Sequence, residues 1–172
     1  DGPVIQRASE RALKNSVGIT STIKLAAEFR KENKDTPVIL MGYANPIEAI
    51  GIDNFIDLIN DAGVDGVITV DYPPEESSVF VSKLRKYDID SIFLLSPTTD
   101  DDRIKLIVDQ ASGFLYYVSL KGVTGSANID IQQVADRVKN IQKHTDLPIA
   151  VGFGVRDAKT ANEVALVSDA VV

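Results

Sequence analysis

Residues 66–87, GVITVDYPPEESSVFVSKLRKY, contain one complete strand-and-helix unit. The run GVITV is short, continuous and apolar, which is typical of a strand that is buried on both faces of a parallel sheet. Pro74 then precedes Glu75 and Glu76, and a proline followed by carboxylates favours the first turn of a helix. The apolar residues between Val79 and Tyr87 continue that helix. This stretch therefore predicts a βα unit.

The same order of elements recurs along the rest of the chain. Further apolar runs predict strands at PVILM (37–41), SIFLL (91–95), FLYYV (114–118), PIAV (148–151) and DAVV (169–172). Helical periodicity fills the intervals between these runs. Residues 99–102 (TDDD) and Asp157 are suited to cap two of the helices, and another helix is expected to begin at Asp130. Two more helical stretches, about Val4–Ser16 and Ser21–Asn33, precede the first strand with no strand between them.

This alternation predicts an α/β protein and favours a (β/α)8 TIM barrel in which about six of the eight strands are present. An open, doubly wound sheet is the alternative that strand counting leaves open. We expect residues 1–172 to form a single, partial barrel domain. An earlier strand is expected before Asp1, and the last strand ends at Val172, so we expect both ends to be incomplete.

Composition excludes several classes of function. The chain has a formal net charge of −7 and no basic block, which disfavours binding to nucleic acid. It has no cysteine and one histidine, so it can form neither a disulfide nor a multi-histidine metal site. No apolar run approaches the roughly 20 residues that a membrane-spanning helix needs.

Two glycine-containing loops follow predicted strands, where barrel enzymes carry their functional groups. Gly152-Phe153-Gly154 precedes a helix, so its backbone N–H groups could bind a phosphate; a tight turn without function is equally compatible with it. Gly122-Val123-Thr124-Gly125 could close over a ligand, although a surface loop explains the pattern as well.

Tyrosine and aspartate side chains also occur at the ends of predicted strands. Tyr116 and Tyr117 are adjacent in one strand and must point to opposite faces, so one of them faces the barrel interior. A phenol there, or at Tyr43, could bind a substrate hydroxyl or could simply belong to the core. Asp71 could be functional or could form a helix-capping turn. Asp1, before Gly-Pro, looks like a turn residue.

Five stretches together resemble the alpha subunit family of tryptophan synthase. They are DGPVIQRASERAL (1–13), PVILMGYANPI (37–47), DGVITVDYPPEES (65–77), GVTGSA (122–127) and PIAVGFGVRDA (148–158). They occur in the order and with the spacing of that family. The resemblance implies a (βα)8-barrel lyase that splits indole-3-glycerol phosphate into indole and glyceraldehyde 3-phosphate without a cofactor of its own. One departure is Leu120, where many members carry arginine.

The resemblance also implies roles for individual residues. Asp1 is expected to be catalytic and to pair with the indole N–H, and Tyr116 is expected near the glycerol hydroxyl. Tyr43 matches a substrate-binding tyrosine. Further substrate contacts are implied for the closing loop and the phosphate loop, namely Thr124, Gly125, Phe153 and Gly154. A second catalytic carboxylate, a glutamate, is expected on a segment before Asp1, and a second phosphate-binding turn is expected after Val172.

The family pairs with a beta subunit that holds pyridoxal phosphate (PLP), in an α2β2 heterotetramer. Asp71 and Pro73 match the segment that faces this partner, and Asn45-Pro46 matches it more loosely. A cytoplasmic location is expected, and the 172 residues alone are expected to be inactive. The alternatives are another phosphate-binding barrel isomerase or synthase, or a non-catalytic fragment that binds a partner.

Overall fold

A computed structural model describes residues 3–119, 130–152, 154–155 and 157–172, in which helices alternate with parallel strands. The helices are α1 (Pro3–Lys14), α2 (Ile19–Glu32), α3 (Ala44–Ile50), α4 (Ile52–Asp61), α5 (Ser78–Lys86), α6 (Asp101–Val108), α7 (Ile131–Ile141) and α8 (Ala158–Ala165). The strands are β1 (Ile39–Gly42), β2 (Gly66–Thr69), β3 (Asp90–Leu95), β4 (Leu115–Val118), β5 (Ile149–Gly152) and β6 (Ala170–Val171). The chain divides into two compact units, residues 1–91 and 92–172.

In the first unit, β1 pairs with β2 in parallel and helices α2 and α4 pack beside them. Phe55, Ile56 and Ile59 place one face of α4 in the apolar core, as helical spacing predicts. Arg30 ties the base of this unit together. Its guanidinium pairs with Asp65 and also donates to the carbonyl oxygens of Gly63 at 2.6 Å and Thr36 at 2.7 Å.

In the second unit, β4 pairs in parallel with β3 on one side and with β5 on the other, and β5 pairs with β6. Its core contains apolar side chains of these strands and of α6, α7 and α8. Each of the three helices begins at an aspartate whose carboxylate accepts an N–H from the first turn: Asp100, Asp130 and Asp157. The caps predicted within residues 99–102 and at Asp157 are thus confirmed, and Asp130, where a helix was predicted to begin, caps that helix.

The helices differ from the predictions in two places. Helix α3 was not predicted; Pro46 lies in its first turn, where a missing N–H leaves no hydrogen bond unmade. The helix expected from Pro74 begins instead at Ser78. Residues 74–76 form a turn in which the amides of Glu76 and Ser77 donate to the carbonyl oxygen of Pro73, at 3.0 and 3.1 Å.

The strand predictions hold within two residues at either end, because each strand is a short apolar run. The residues of β5 are all buried, whereas β1 and β6 contain exposed residues. In the part of the chain that the structure describes, no helix is both long and apolar enough to cross a membrane.

Candidate active site

Tyr116 is buried in β4, next to the C-terminal end of β5. Its neighbour Tyr117 belongs to the apolar core of the second unit, while Tyr116 lies outside that cluster. The expectation that the two phenols point to opposite faces is therefore confirmed. Burial raises the pKa of Tyr116 above its ordinary value of 10.0, so its hydroxyl keeps its proton at neutral pH and can donate it in a hydrogen bond.

Gly152 provides the space that Tyr116 occupies. A Cβ atom at position 152 would lie 2.1 Å from the Tyr116 hydroxyl oxygen and 2.6 Å from its Cζ, so no larger residue fits without displacing the ring. Sequence reasoning placed Gly152 only in a phosphate loop and missed this contact. The strand register contained the signal: Gly152 pairs with Val118, two residues beyond Tyr116, so positions 116 and 152 share a face.

Ser119 fixes the end of β4 to the end of β5. Its amide donates to the carbonyl oxygen of Gly152 at 3.1 Å, and its buried hydroxyl donates to the same oxygen at 2.9 Å. Two hydrogen bonds on one carbonyl hold the two strand ends in a fixed relation.

Gly154 follows β5 with a φ of +88°, a conformation that residues with a Cβ rarely adopt. This backbone requirement explains the glycine whether or not a phosphate binds beside it. Helix α8 starts a few residues later, and its N-terminus is already capped: the Asp157 carboxylate accepts the Thr160 amide at 2.8 Å and the Thr160 hydroxyl at 2.7 Å. The N–H groups of the loop itself thus remain the predicted phosphate donors.

Tyr43 and Asp71 follow the ends of β1 and β2 in the first unit. Tyr43 immediately precedes α3 and is 47% exposed. The carboxylate of Asp71 accepts the amide of Ala44, the first residue of α3, at 2.7 Å. The turn interpretation of Asp71 was therefore correct in part, because this carboxylate caps a helix, but the helix is α3 and not the one that follows it in sequence.

Tyr72 forms a second connection to α3 that the sequence did not reveal. Its hydroxyl donates to the Glu48 carboxylate at 2.8 Å, and its ring stacks on Phe80 with centroids 5.6 Å apart. Pro73 and the buried Pro74 complete the same turn. Glu48 belongs to no motif that the sequence reveals. It lies beside the turn after β2 because residues 44–50 form helix α3, which was not predicted.

The structure describes five of the nine predicted site residues. Tyr43, Asp71 and Pro73 follow β1 or β2 in the first unit; in the second unit Tyr116 lies within β4 and Gly154 follows β5. The remaining predicted residues lie outside the described residues: Asp1, Thr124, Gly125 and Phe153.

The family model of the tryptophan synthase alpha chain matches residues 1–172, the whole of the chain. The chain belongs to the tryptophan synthase alpha chain family. The alpha chain of Thiobacillus denitrificans is 58% identical to it over 172 residues, which make up 63% of that relative. The alpha chain of Herminiimonas arsenicoxydans is 59% identical over the same 172 residues, 65% of its length.

Solved structures of the family have the same fold. The crystal structure of the alpha subunit from Legionella pneumophila aligns with a TM-score of 0.89 at 40% identity, covering 99% of this chain and 63% of that chain. A chain from the α2β2 complex of Pyrococcus furiosus tryptophan synthase aligns with a TM-score of 0.88 at 36% identity. The fold is thus the (β/α)8 TIM barrel of the family, with six strands in the residues that the structure describes, and the doubly wound alternative does not apply.

Proposed function

We propose that the protein to which these residues belong is the alpha chain of a tryptophan synthase, a lyase that releases indole from indole-3-glycerol phosphate. The observation that carries this proposal is the match of all 172 residues to the family model, with 58% identity to one relative of that name. The chain spans 63% of that relative's length, so the activity, substrate and partner remain proposals.

The reaction is a retro-aldol cleavage that breaks the bond between indole C3 and the glycerol chain. A proton must reach C3, positive charge then develops on the indole nitrogen, and a base must remove the proton of the glycerol hydroxyl that becomes the aldehyde. The electrons of the broken bond return to the ring and neutralise the nitrogen. The minimum set is a carboxylate beside the N–H, a donor of the C3 proton and a base for the glycerol hydroxyl; the family resemblance assigns part of this work to a second carboxylate, the glutamate expected before Asp1.

Tyr116 is proposed to bind the glycerol side of the substrate. Its buried, protonated phenol, whose oxygen lies beside Gly152 at the C-terminal end of β5, can donate a hydrogen bond to a substrate oxygen. Asp1 is proposed as the carboxylate beside the indole N–H, on the strength of the family resemblance. Backbone N–H groups of the loop that contains Gly154 are proposed to bind the phosphate, again on the strength of the family resemblance.

Partner and location belong to the same proposal. We expect a beta subunit that holds PLP to bind beside Asp71 and Pro73, in an α2β2 assembly, while the alpha chain uses no cofactor of its own. The solved Pyrococcus relative comes from such an α2β2 complex, which supports this expectation. A cytoplasmic location is expected of a biosynthetic enzyme of this kind.

The test is an assay of the protein at the length of its relatives with indole-3-glycerol phosphate. Release of indole and glyceraldehyde 3-phosphate in equal amounts is expected. The Asp1→Asn variant should lose cleavage and keep its fold, while Tyr116→Phe should lower kcat/KM about tenfold to a hundredfold, the effect of one hydrogen bond to a charged or reacting group. No indole release by the parent protein would refute the proposal.

A further inference from the structure

Helix α3 is short and has few anchors of its own. It comprises Ala44–Ile50 and buries one side chain, Ile47. Tyr43, at its N-terminus, makes no side-chain cap. Since isolated helices shorter than about 12 residues are marginal in water, groups from outside the helix must hold α3 in place.

The connection between β2 and α5 supplies two such groups. The Asp71 carboxylate accepts the Ala44 amide at 2.7 Å, and the Tyr72 hydroxyl donates to the Glu48 carboxylate at 2.8 Å. The two hydrogen bonds hold α3 at its first residue, Ala44, and at Glu48, one turn later. We call this arrangement the α3 clamp; it consists of Asp71, Tyr72, Glu48 and the Ala44 amide.

The clamp is itself attached to the core. The Tyr72 ring stacks on Phe80 with an interplanar angle of 10°, and Phe80 is buried in the first unit. Burial, the hydrogen bond to Glu48 and the nearby carboxylates all raise the pKa of Tyr72, so its hydroxyl remains a donor at any physiological pH. A fixed ring therefore presents a permanent donor to Glu48.

We infer that Tyr72 and Glu48 are positioning residues that fix α3 and, through it, Tyr43. Tyr43 is joined directly to the first residue of α3, so a rotation or partial unfolding of α3 displaces its backbone and side chain. The inference rests on the proposed function, in which Tyr43 contacts the substrate. It gives Tyr72 and Glu48 a role in holding α3, which neither the motifs nor the family resemblance assigns to them.

The same unit offers a matched control. The Tyr87 hydroxyl donates to the Asp57 carboxylate at 3.1 Å, which is the same kind of exposed tyrosine–carboxylate pair. That pair joins α4 to the end of α5, and each of these helices buries three side chains of its own. Loss of the Tyr87 hydroxyl should therefore leave α3 unaffected.

The first experiment measures hydrogen–deuterium exchange of the α3 amides in the 172-residue chain. Tyr72→Phe keeps the ring on Phe80 and removes only the hydroxyl. Exchange in α3 should become about threefold to tenfold faster, the effect of one net hydrogen bond, while α4 and α5 stay unchanged. Unchanged exchange in α3, or an equal acceleration by Tyr87→Phe, would overturn the clamp.

The second experiment measures cleavage of indole-3-glycerol phosphate by the protein at the length of its relatives. Tyr72→Phe should raise KM about threefold to tenfold and leave kcat within about twofold, because Tyr43 is proposed to bind and not to transfer protons. Glu48→Gln keeps an acceptor oxygen and should match the parent protein, whereas Glu48→Leu should reproduce Tyr72→Phe.

A double variant tests whether the clamp acts through Tyr43. In a Tyr43→Phe background, Tyr72→Phe should add little to the increase in KM, since coupled residues are not additive. Full additivity, or a fall in kcat alone, would refute positioning through Tyr43. If the parent protein releases no indole, the proposed function fails, and the exchange experiment still decides whether the clamp exists.

Discussion

At the scale of single residues, the contact between Gly152 and Tyr116 restricts which residue can occupy position 152. We expect Gly152→Ala to destabilise the chain by about 1–3 kcal/mol, the usual effect of forcing extra volume into a packed site. The added Cβ would lie 2.1 Å from the phenol oxygen. Urea unfolding measures the change. Replacing Tyr116 with alanine in the same chain should then make Gly152→Ala nearly neutral.

Gly42→Ala is the control for this prediction. Gly42 also ends a strand, but a Cβ there meets no atom within 4 Å. Its substitution should change the free energy of unfolding by about 0.5 kcal/mol or less. Equal destabilisation by the two alanines would show that loss of a strand glycine, and not the phenol, is responsible.

The two buried phenols predict a loss of stability at alkaline pH. Burial raises the pKa of Tyr116 and of Tyr117, with Arg137 opposing the increase at Tyr117. The unfolded chain releases these protons near pH 10, and the folded chain releases them at a higher pH. The contribution to stability is therefore complete below about pH 10 and is lost as the pH rises through the folded pKa.

Urea midpoints measured at about pH 8 and about pH 11 test this prediction. Tyr117→Phe and Tyr116→Phe should each reduce the alkaline loss relative to the parent chain. An identical loss in the parent and in both variants would assign the effect to other groups.

At the scale of elements, helices α1 and α7 differ in what holds them. Helix α1 has 12 residues and buries none, whereas α7 has 11 residues and buries Val134, Val138 and Ile141. We expect the α1 amides of the 172-residue chain to exchange within about tenfold of unfolded rates, and those of α7 at least about a hundredfold more slowly. Equal protection of the two helices would contradict this prediction.

The sequence predicted the elements that have a strong period and missed those that tertiary contacts create. The strands at GVITV and FLYYV were predicted because continuous apolar runs suit a doubly covered sheet. Helix α3 was missed since its seven residues owe their order to Asp71 and Tyr72, which lie far along the chain. The start of α5 was misplaced because the Ser77 hydroxyl donates to the carbonyl oxygen of Pro74 at 3.2 Å within a separate turn.

For the candidate site, the sequence identified residue types at strand ends but not their neighbours. It predicted that Tyr116 and Tyr117 diverge, because alternation along a strand is a local property. It could not predict that Tyr116 occupies the space over Gly152, because that contact depends on the register between two strands. The roles of Asp1 and Tyr43 came from the family resemblance and stay predictions.

At the scale of the whole molecule, the net charge predicts that the chain does not bind nucleic acid. Its 25 acidic and 18 basic residues give a net charge of −7 and an isoelectric point near 4.7. We expect no shift of duplex DNA in a gel at about 50 mM salt, where electrostatic binding is strong. Binding that weakens steeply as salt is added would contradict this expectation.

Gly152 and Tyr116 also constrain how the chain can evolve. A substitution at position 152 is harmful while the phenol is present and nearly harmless once it is gone, so the effects of the two codons depend on each other. A lineage that keeps the phenol is therefore under selection to keep glycine there. Conversely, a relative with a larger residue at this position is expected to lack the phenol or to place its ring elsewhere, so one codon predicts the state of the other.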